Sequence, residues 1–310
     1  MSVMSPLALI LALRPQQWVK NVFVFAALVF ARGERGGWVD GDYSDLRRTL
    51  FAFFAFCLGS SAVYLVNDVA DIESDRKHPT KKDRPIASGA LSIPLAIAAA
   101  IACTAGALVL AHVASATADA VVWVVASYVA LNLAYSFRLK HVVLVDAFCI
   151  AGGFLMRVYA GGLAAGAFVS HWLMLCTLFL SLFLALCKRR AEIDLLGEGR
   201  GEHRAILLEY TPSFLDHMVT VVAACTIITY SMYTVSDDTA RKFGPSHSLI
   251  WTVPFVVFGL ARYMLLVQRR EGGASPTRIL LGGDLLFVLD VLAWGATVAI
   301  VLFLRHALPN

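Results

Sequence analysis

The chain has 310 residues, of which 59% are apolar and only 15% charged, where an ordinary soluble domain carries about 25% charged residues. A mean hydropathy of +0.72 excludes disordered, collagen-like and disulfide-scaffold classes and argues against a water-soluble enzyme. The net charge of +4 is too small to point to nucleic acid, so the bilayer is the expected solvent. Cys57, Cys103, Cys149, Cys176, Cys187 and Cys225 lie singly in or beside apolar runs, with no CxxC pair. They read as buried, inert thiols rather than a zinc site or a disulfide framework.

A membrane span needs about 20 mostly apolar residues. Nine are expected, at roughly 18–31, 49–67, 93–112, 118–137, 142–162, 168–187, 214–235, 248–268 and 280–304. The predicted fold is therefore an all-α integral membrane protein with nine transmembrane helices in a single domain over 1–310. Ahead of the first span, Leu7–Leu13 is apolar and runs into Arg14-Pro15. Residues from about 5 to 14 read either as the start of that span or as an amphipathic helix along the interface, with Trp18 at headgroup level. The N-terminus shows no signal-peptide cleavage pattern. Of the 26 Lys and Arg, 17 fall on the side that holds the N-terminus and the loops after spans two, four, six and eight, against 7 on the other side. The positive-inside rule places that richer side in the cytoplasm.

The segment after the second span reads Asn67-Asp68-Val69-Ala70-Asp71-Ile72-Glu73-Ser74-Asp75-Arg76-Lys77-His78-Pro79-Thr80-Lys81-Lys82-Asp83-Arg84-Pro85-Ile86-Ala87. If the helix continues to Asp75, then Asp68, Asp71 and Asp75 share one face, and three stacked like charges call for a cation. Oxygen-only ligands favour a hard ion, and Mg2+ typically takes one or two carboxylates together with substrate phosphates. Asn67 adds a neutral oxygen. Arg76, Lys77, Lys81, Lys82 and Arg84 set phosphate-binding bases beside these acids, which suits a magnesium-diphosphate group. A solvated charged loop is the plain alternative.

A second polar segment, Lys188-Arg189-Arg190-Ala191-Glu192-Ile193-Asp194, follows span six. Lys188 and Glu192 are spaced i, i+4, which suits a surface salt bridge. The functional reading has Lys188 and Arg189 binding phosphate while Glu192 holds a second ion or orients a base. Arg157 and Asp146 are ionisable residues within span five, either functional or a structural pair. Lys20-Asn21 reads as a headgroup contact or an interface anchor. Tyr64, one turn before Asp68, lines a cavity or packs in the core, and Lys140 lies in the short loop on the same side as both polar segments. His78, beside Pro79, reads as shaping its loop.

Nine spans with Asn67-Asp68-x-x-Asp71-x-x-x-Asp75 after the second resemble the UbiA superfamily of intramembrane prenyltransferases over nearly the whole chain. The resemblance implies a circular helix bundle with cytoplasmic cap loops, opening sideways to lipid. Members of that family usually carry a second acidic DxxxD segment after span six, where this chain has Lys188-Arg189-Arg190-Ala191-Glu192. With Arg14-Pro15-Gln16-Gln17-Trp18-Val19-Lys20-Asn21, the run Asp75 to Lys81 and Arg84-Pro85-Ile86-Ala87, the chain is similar to the decaprenyl-phosphate phosphoribosyltransferase branch.

That branch implies phosphoribosyl diphosphate (PRPP) as donor and a polyprenyl (decaprenyl) phosphate as acceptor. Pyrophosphate is released, and the lipid product is a precursor of arabinofuranose for cell-wall glycans. The implied location is the bacterial plasma membrane with the site facing the cytoplasm; a homo-oligomer is compatible with it. On this reading Asp68, Asp71, Asp75, Lys188 and Glu192 are catalytic. Asp68, Asp71, Asp75 and Asn67 hold Mg2+. Lys20, Asn21, Tyr64, Asn67, Arg76, Lys81, Arg84, Lys140, Arg157 and Arg189 bind substrate. Two alternatives stand beside it: a prenyltransferase acting from a prenyl diphosphate on an aromatic acceptor, and a transporter whose path is lined by Arg157 and Asp146.

Overall fold

The structure, a computed structural model, describes residues 6–29, 43–77, 81–196, 206–243, 248–269 and 283–307. His78 and Pro79, parts of the loops after spans six and eight, and the end of the expected first span lie outside the described residues. Among the described residues every regular element is helical. Eight helices are long and apolar enough to cross a membrane: Ser44–Ala70, Ile93–Ala114, Ala120–Phe137, Val145–Ala165, His171–Asp194, Pro212–Thr234, Ser248–Gln268 and Leu285–Leu302. They match the last eight expected spans. Large apolar side chains such as Ile101 (66% exposed) and Trp123 (71%) face outward, as an integral membrane protein requires and a water-soluble one avoids.

The first expected span is different. A short helix, Pro6–Leu13 (α1), is followed at Arg14 by a break and then by an 11-residue 3-10 helix, Pro15–Phe25. α1 carries no polar residue, and Ala8 and Ala12 are buried, so it has no polar face to lay along an interface. The break follows from Pro15, which lacks an N–H and disfavours right-handed helix at the residue before it. Arg14 takes up a left-handed conformation, φ 54° and ψ 57°, a strain of about 1–3 kcal/mol for a non-glycine residue.

The chain folds as two compact units. Of the described residues, the first comprises 6–28, 43–77, 81–149 and 156–167. Its axis is Ser44–Ala70 (α2), followed by the short helix Ile72–Lys77 (α3). Ile93–Ala114 (α4) packs on α2 through a stripe of buried alanines, Ala96, Ala100, Ala107, Ala111 and Ala114. Lipid tails are as apolar as leucine, so helices in a bilayer associate by close packing, and small residues at near-helical spacing let the backbones approach. Ala120–Phe137 (α5) and Val145–Ala165 (α6) add Val121, Val125, Ala160 and Ala164 to the same core as Phe56 of α2 and Val24 of the 3-10 helix.

Of the described residues, the second unit holds 29, 150–155, 168–196, 206–243, 248–269 and 283–307. His171–Leu196 (α7) packs against Pro212–Thr234 (α8), whose start is set by Pro212 and by Thr211, the hydroxyl of which accepts from the Phe214 N–H at 3.1 Å. Val253–Gln268 (α9) is tied to Leu285–Ala307 (α10) by Arg262, which forks onto Asp284 at 3.1 and 2.7 Å. Asp284 also caps α10 by accepting from the Phe287 N–H at 2.8 Å. The Arg262 hydrogen bonds hold the Asp284 carboxyl below the ordinary carboxylate range. Its stabilisation is thus complete above that range and fades only as pH falls through the lowered value. Asp284→Ala is expected to cost about 1 kcal/mol of stability, with the same melting deficit at pH 7 and at pH 5.

Candidate active site

Along α2, Cys57, Ser60, Ser61, Tyr64 and Asp68 recur at helical spacing and share one face. The 3-10 helix runs antiparallel along that face. Trp18 Nε1 donates to Ser61 Oγ at 3.0 Å, and Asn21 Nδ2 donates to Cys57 Sγ at 3.3 Å and Ser60 Oγ at 3.4 Å. Ser61 Oγ in turn donates to the Leu13 carbonyl at 2.7 Å, just before the break. In 3-10 geometry residues three apart eclipse one another. Trp18 and Asn21 therefore both meet α2, whereas Gln17 and Lys20 line up on a neighbouring edge.

At the end of α2 the acids begin. Asp68, with 2% of its side chain exposed, receives both oxygens' worth of contact from Arg14 Nη2, at 2.6 and 2.7 Å. The same guanidinium lies 5.0 Å from the centre of the Tyr64 ring. Arg84 Nη1 reaches Asp68 Oδ1 at 3.0 Å and Asp75 Oδ2 at 2.6 Å. Asp75 is buried to the same degree, at 3% exposed. The helix does not run through to Asp75 as expected. It breaks at Asp71, φ −98° and ψ 10°, although Asp71 N–H still bonds the Asn67 carbonyl and Asp75 N–H the Asp71 carbonyl. The break separates the three carboxylates: Asp68 and Asp75 converge on Arg84, and Asp71 accepts from Lys140 Nζ at 2.6 Å.

The loop that delivers Arg84 is a chain of tight turns. Ser88 N–H bonds the Arg84 carbonyl at 2.9 Å and Leu91 N–H the Pro85 carbonyl at 2.8 Å, with Gly89 at a positive φ of 82° closing the turn. Ile86 and Leu91 anchor it in the core beside Leu65. Arg76 holds this loop from the other side, donating to the Ala87 carbonyl at 3.2 Å and to Glu73 at 3.1 Å. Its place is thus that of a brace, and Lys81 accepts the Arg84 N–H at 3.0 Å through its carbonyl.

Deeper along α2, Arg157 of α6 is 6% exposed. Its Nε donates to Asn21 Oδ1 at 2.7 Å and its Nη2 to Tyr128 OH at 2.8 Å. The guanidinium stacks over the rings of Tyr128 and Phe56, at 4.6 and 5.6 Å. Asn21, read from the sequence as a headgroup contact or an interface anchor, is fully buried and bonded on both sides.

In the second unit, the basic segment of α7 is laced with its own acids. Arg189, 1% exposed, pairs with Glu192, and Lys188 lies 3.8 Å from the same carboxylate. Arg190 pairs with Asp194 and, from α7 to α8, with Asp216 at 2.8 Å. The i, i+4 contact expected of Lys188 and Glu192 is present, with Arg189 as the closer partner.

Of the expected residues, the fold brings Tyr64, Asp68, Asp75, Arg84, Asp71 and Lys140 to one end of α2, with Asn67 half-buried among them. Arg14 is a site residue that the sequence reading does not single out. The available signal was an arginine inside an apolar stretch directly ahead of a helix-breaking proline.

Residues 21–278 match the UbiA prenyltransferase family. The chain is 39% identical over 291 residues to decaprenyl-phosphate phosphoribosyltransferase of Corynebacterium glutamicum, covering 92% of this chain and 84% of that one. It is 38% identical over 289 residues to decaprenyl-phosphate phosphoribosyltransferase of Mycobacterium tuberculosis, covering 93% and 91%. A UbiA homologue from Archaeoglobus fulgidus, solved bound to GPP and Mg2+, superposes with a TM-score of 0.70 at 18% identity, covering 94% of this chain and 99% of that one. With an all-helical membrane fold and acids at the end of its second expected span, this chain belongs to the UbiA prenyltransferase family.

Proposed function

We propose that the protein transfers the 5-phosphoribosyl group of PRPP to a polyprenyl phosphate, with Mg2+, at the cytoplasmic side of a bacterial plasma membrane. The observation that carries this reading is the likeness, at 38 to 39% identity over more than nine-tenths of the chain, to decaprenyl-phosphate phosphoribosyltransferases. The excess of Lys and Arg on one side supports the orientation.

The donor set suits magnesium only in company with a diphosphate. Asp68 and Asp75 both lie within hydrogen-bonding distance of one arginine nitrogen, so a single cationic point already bridges two carboxylates. Among the described residues, no three acidic, imidazole or thiol groups gather as a cage for an ion. Oxygen-only donors, few protein ligands and neighbouring phosphate-binding bases are what a magnesium-diphosphate complex requires. When bound, the ion would offset charge developing on the leaving diphosphate.

The chain's own residues do the rest. Arg14 and Arg84 hold the acids in place and are themselves forks suited to phosphate oxygens. Lys140 brings a compact positive charge to Asp71 at the same end of α2. The acceptor phosphate is already an anion, so attack on the anomeric carbon and departure of pyrophosphate need alignment and charge shielding rather than a strong base. An apolar groove of about 620 Å³ is lined by Val66, Val69, Ala96 and Ala100, and also by Ala70, the residue before Asp71, and Phe137, three residues before Lys140. Its walls suit an isoprenoid chain.

The test is turnover by the detergent-purified protein supplied with Mg2+, labelled PRPP and a polyprenyl phosphate. Labelled lipid and pyrophosphate in equal amounts are the expected products. Consumption of a prenyl diphosphate with an aromatic acceptor, and no lipid label from PRPP, would assign the protein to the prenyltransferase reaction instead.

A further inference from the structure

Lys20 stands out in the first unit. Among the described residues no hydrogen bond or ion pair reaches its ammonium group, and the same holds for the Tyr64 hydroxyl. Both guanidinium groups nearby, Arg157 and Arg14, repel the Lys20 charge, and the same two act on Tyr64. A cation placed between two others with no counter-ion is stabilised once an anion arrives.

The depth of this group follows from the antiparallel register. Arg14 meets Asp68, whereas Asn21 meets Cys57 and Ser60. Six residues of 3-10 helix separate Arg14 from Lys20, about 12 Å at 2 Å per residue. Lys20 therefore sits on the membrane-inward side of Asp68, as Tyr64 does one helical turn back along α2. The surrounding groups are polar: Asn21, Ser60, Ser61 and Tyr128, with Arg157 fixed by Asn21 and Tyr128. A phosphate monoester, carrying close to two negative charges at neutral pH, matches the Lys20 ammonium, the Tyr64 hydroxyl and the Arg157 guanidinium.

We infer that Lys20, Tyr64 and Arg157 form a phosphate-monoester subsite inward of Asp68, and that it takes the 5-phosphate of the pentosyl donor. The inference rests on the phosphoribosyl reading above and divides the basic residues between the donor's two ends. The diphosphate lies with Asp68, Asp75, Arg14 and Arg84, and the 5-phosphate lies inward with Lys20. The acceptor's phosphate is also a monoester, but its isoprenoid chain needs apolar walls, whereas Arg157 is flanked here by the Asn21 amide and the Tyr128 hydroxyl, which suit a sugar. In the same way these polar groups disfavour a prenyl diphosphate, whose apolar tail would lie against them.

Two measurements on the full chain in detergent test this. In the first, binding of ribose 5-phosphate, without turnover, is compared between wild type and Lys20→Met. Loss of one charge-assisted contact is expected to weaken binding about 10- to 100-fold, and Lys20→Arg, which keeps the charge, is expected to retain most of it. In the second, Lys20→Met raises KM for PRPP by a similar factor, while KM for polyprenyl phosphate and inhibition by pyrophosphate stay at wild-type values. Tyr64→Phe gives a smaller shift in the same direction and stands in if Lys20→Met does not fold. Unchanged ribose 5-phosphate binding and unchanged KM for PRPP in these variants would overturn the subsite. A rise in KM for the lipid alone would also overturn it, by giving the site to the acceptor. Failure of wild type to use PRPP would instead defeat the phosphoribosyl reading; wild-type binding of ribose 5-phosphate lost in Lys20→Met would still support a phosphate-monoester site.

Discussion

Asp68→Asn is expected to lower turnover by roughly three orders of magnitude, the scale on which loss of a preorganised charge-stabilising group acts. Asn keeps the size of the side chain and removes its charge. It takes away one of the two carboxylates that converge on a single point, and it leaves Arg14 and Arg84 facing a neutral group at a nearly inaccessible position. Breaking a buried ion pair from one side costs about 3 kcal/mol or more, so Asp68→Asn is also expected to melt earlier. Asp71→Asn separates the two effects. Its carboxylate is 28% exposed and meets Lys140 alone among the contacts described above, so activity is expected to fall with little loss of stability. Pyrophosphate release from PRPP together with thermal unfolding in detergent reads both. Full activity in Asp68→Asn would remove the metal and diphosphate assignment.

Gly161→Ala should be strongly disruptive in the first unit. A Cβ built at Gly161 would lie 1.8 Å from the Val24 carbonyl oxygen and 2.8 Å from its carbon. Both obstacles are backbone, so no side chain can turn aside. The 3-10 helix would have to lift off α6, and with it the Asn21 and Arg157 contact four residues away along α6. Overpacking of this kind costs about 3 kcal/mol, and here it also displaces Lys20. Gly295→Ala is the control: nothing lies within 4 Å of a Cβ there, and alanine is the better helix former by up to about 1 kcal/mol. A lowered melting temperature for Gly161→Ala beside an unchanged or raised one for Gly295→Ala is the expected pair. Equal melting of both variants would mean that the close approach of Val24 to α6 does not matter to the fold.

Eight of the nine expected spans were legible because each is an unbroken apolar run of bilayer length, and hydropathy reads such runs without knowledge of neighbours. The first was not. Arg14-Pro15 parts it from the apolar run before it, and nothing in the composition of Pro15–Phe25 distinguishes a 3-10 helix from an α-helix. The i, i+4 contact of Lys188 and Glu192 was legible because both partners lie on one helix. The partners of the acids were harder, since Arg14 is 54 residues from Asp68 and Lys140 is 69 residues from Asp71. Spacing along one helix says which side chains share a face and is silent about what packs against that face.

The sequence by itself determined the solvent, the helical class, and the clustering of acids and bases after the second apolar run. Each of these is a local property, set by hydropathy and by the period of the helix. The tertiary structure alone decided that the helix breaks at Asp71, that Asp68 and Asp75 share Arg84 while Asp71 turns to Lys140, and that Lys20 is brought inward of Asp68. These depend on how the 3-10 helix docks on α2 and α6, through Trp18, Asn21 and the close approach at Gly161. That docking is fixed by contacts between segments far apart in the chain, where a single glycine and a few buried polar groups outweigh any local preference.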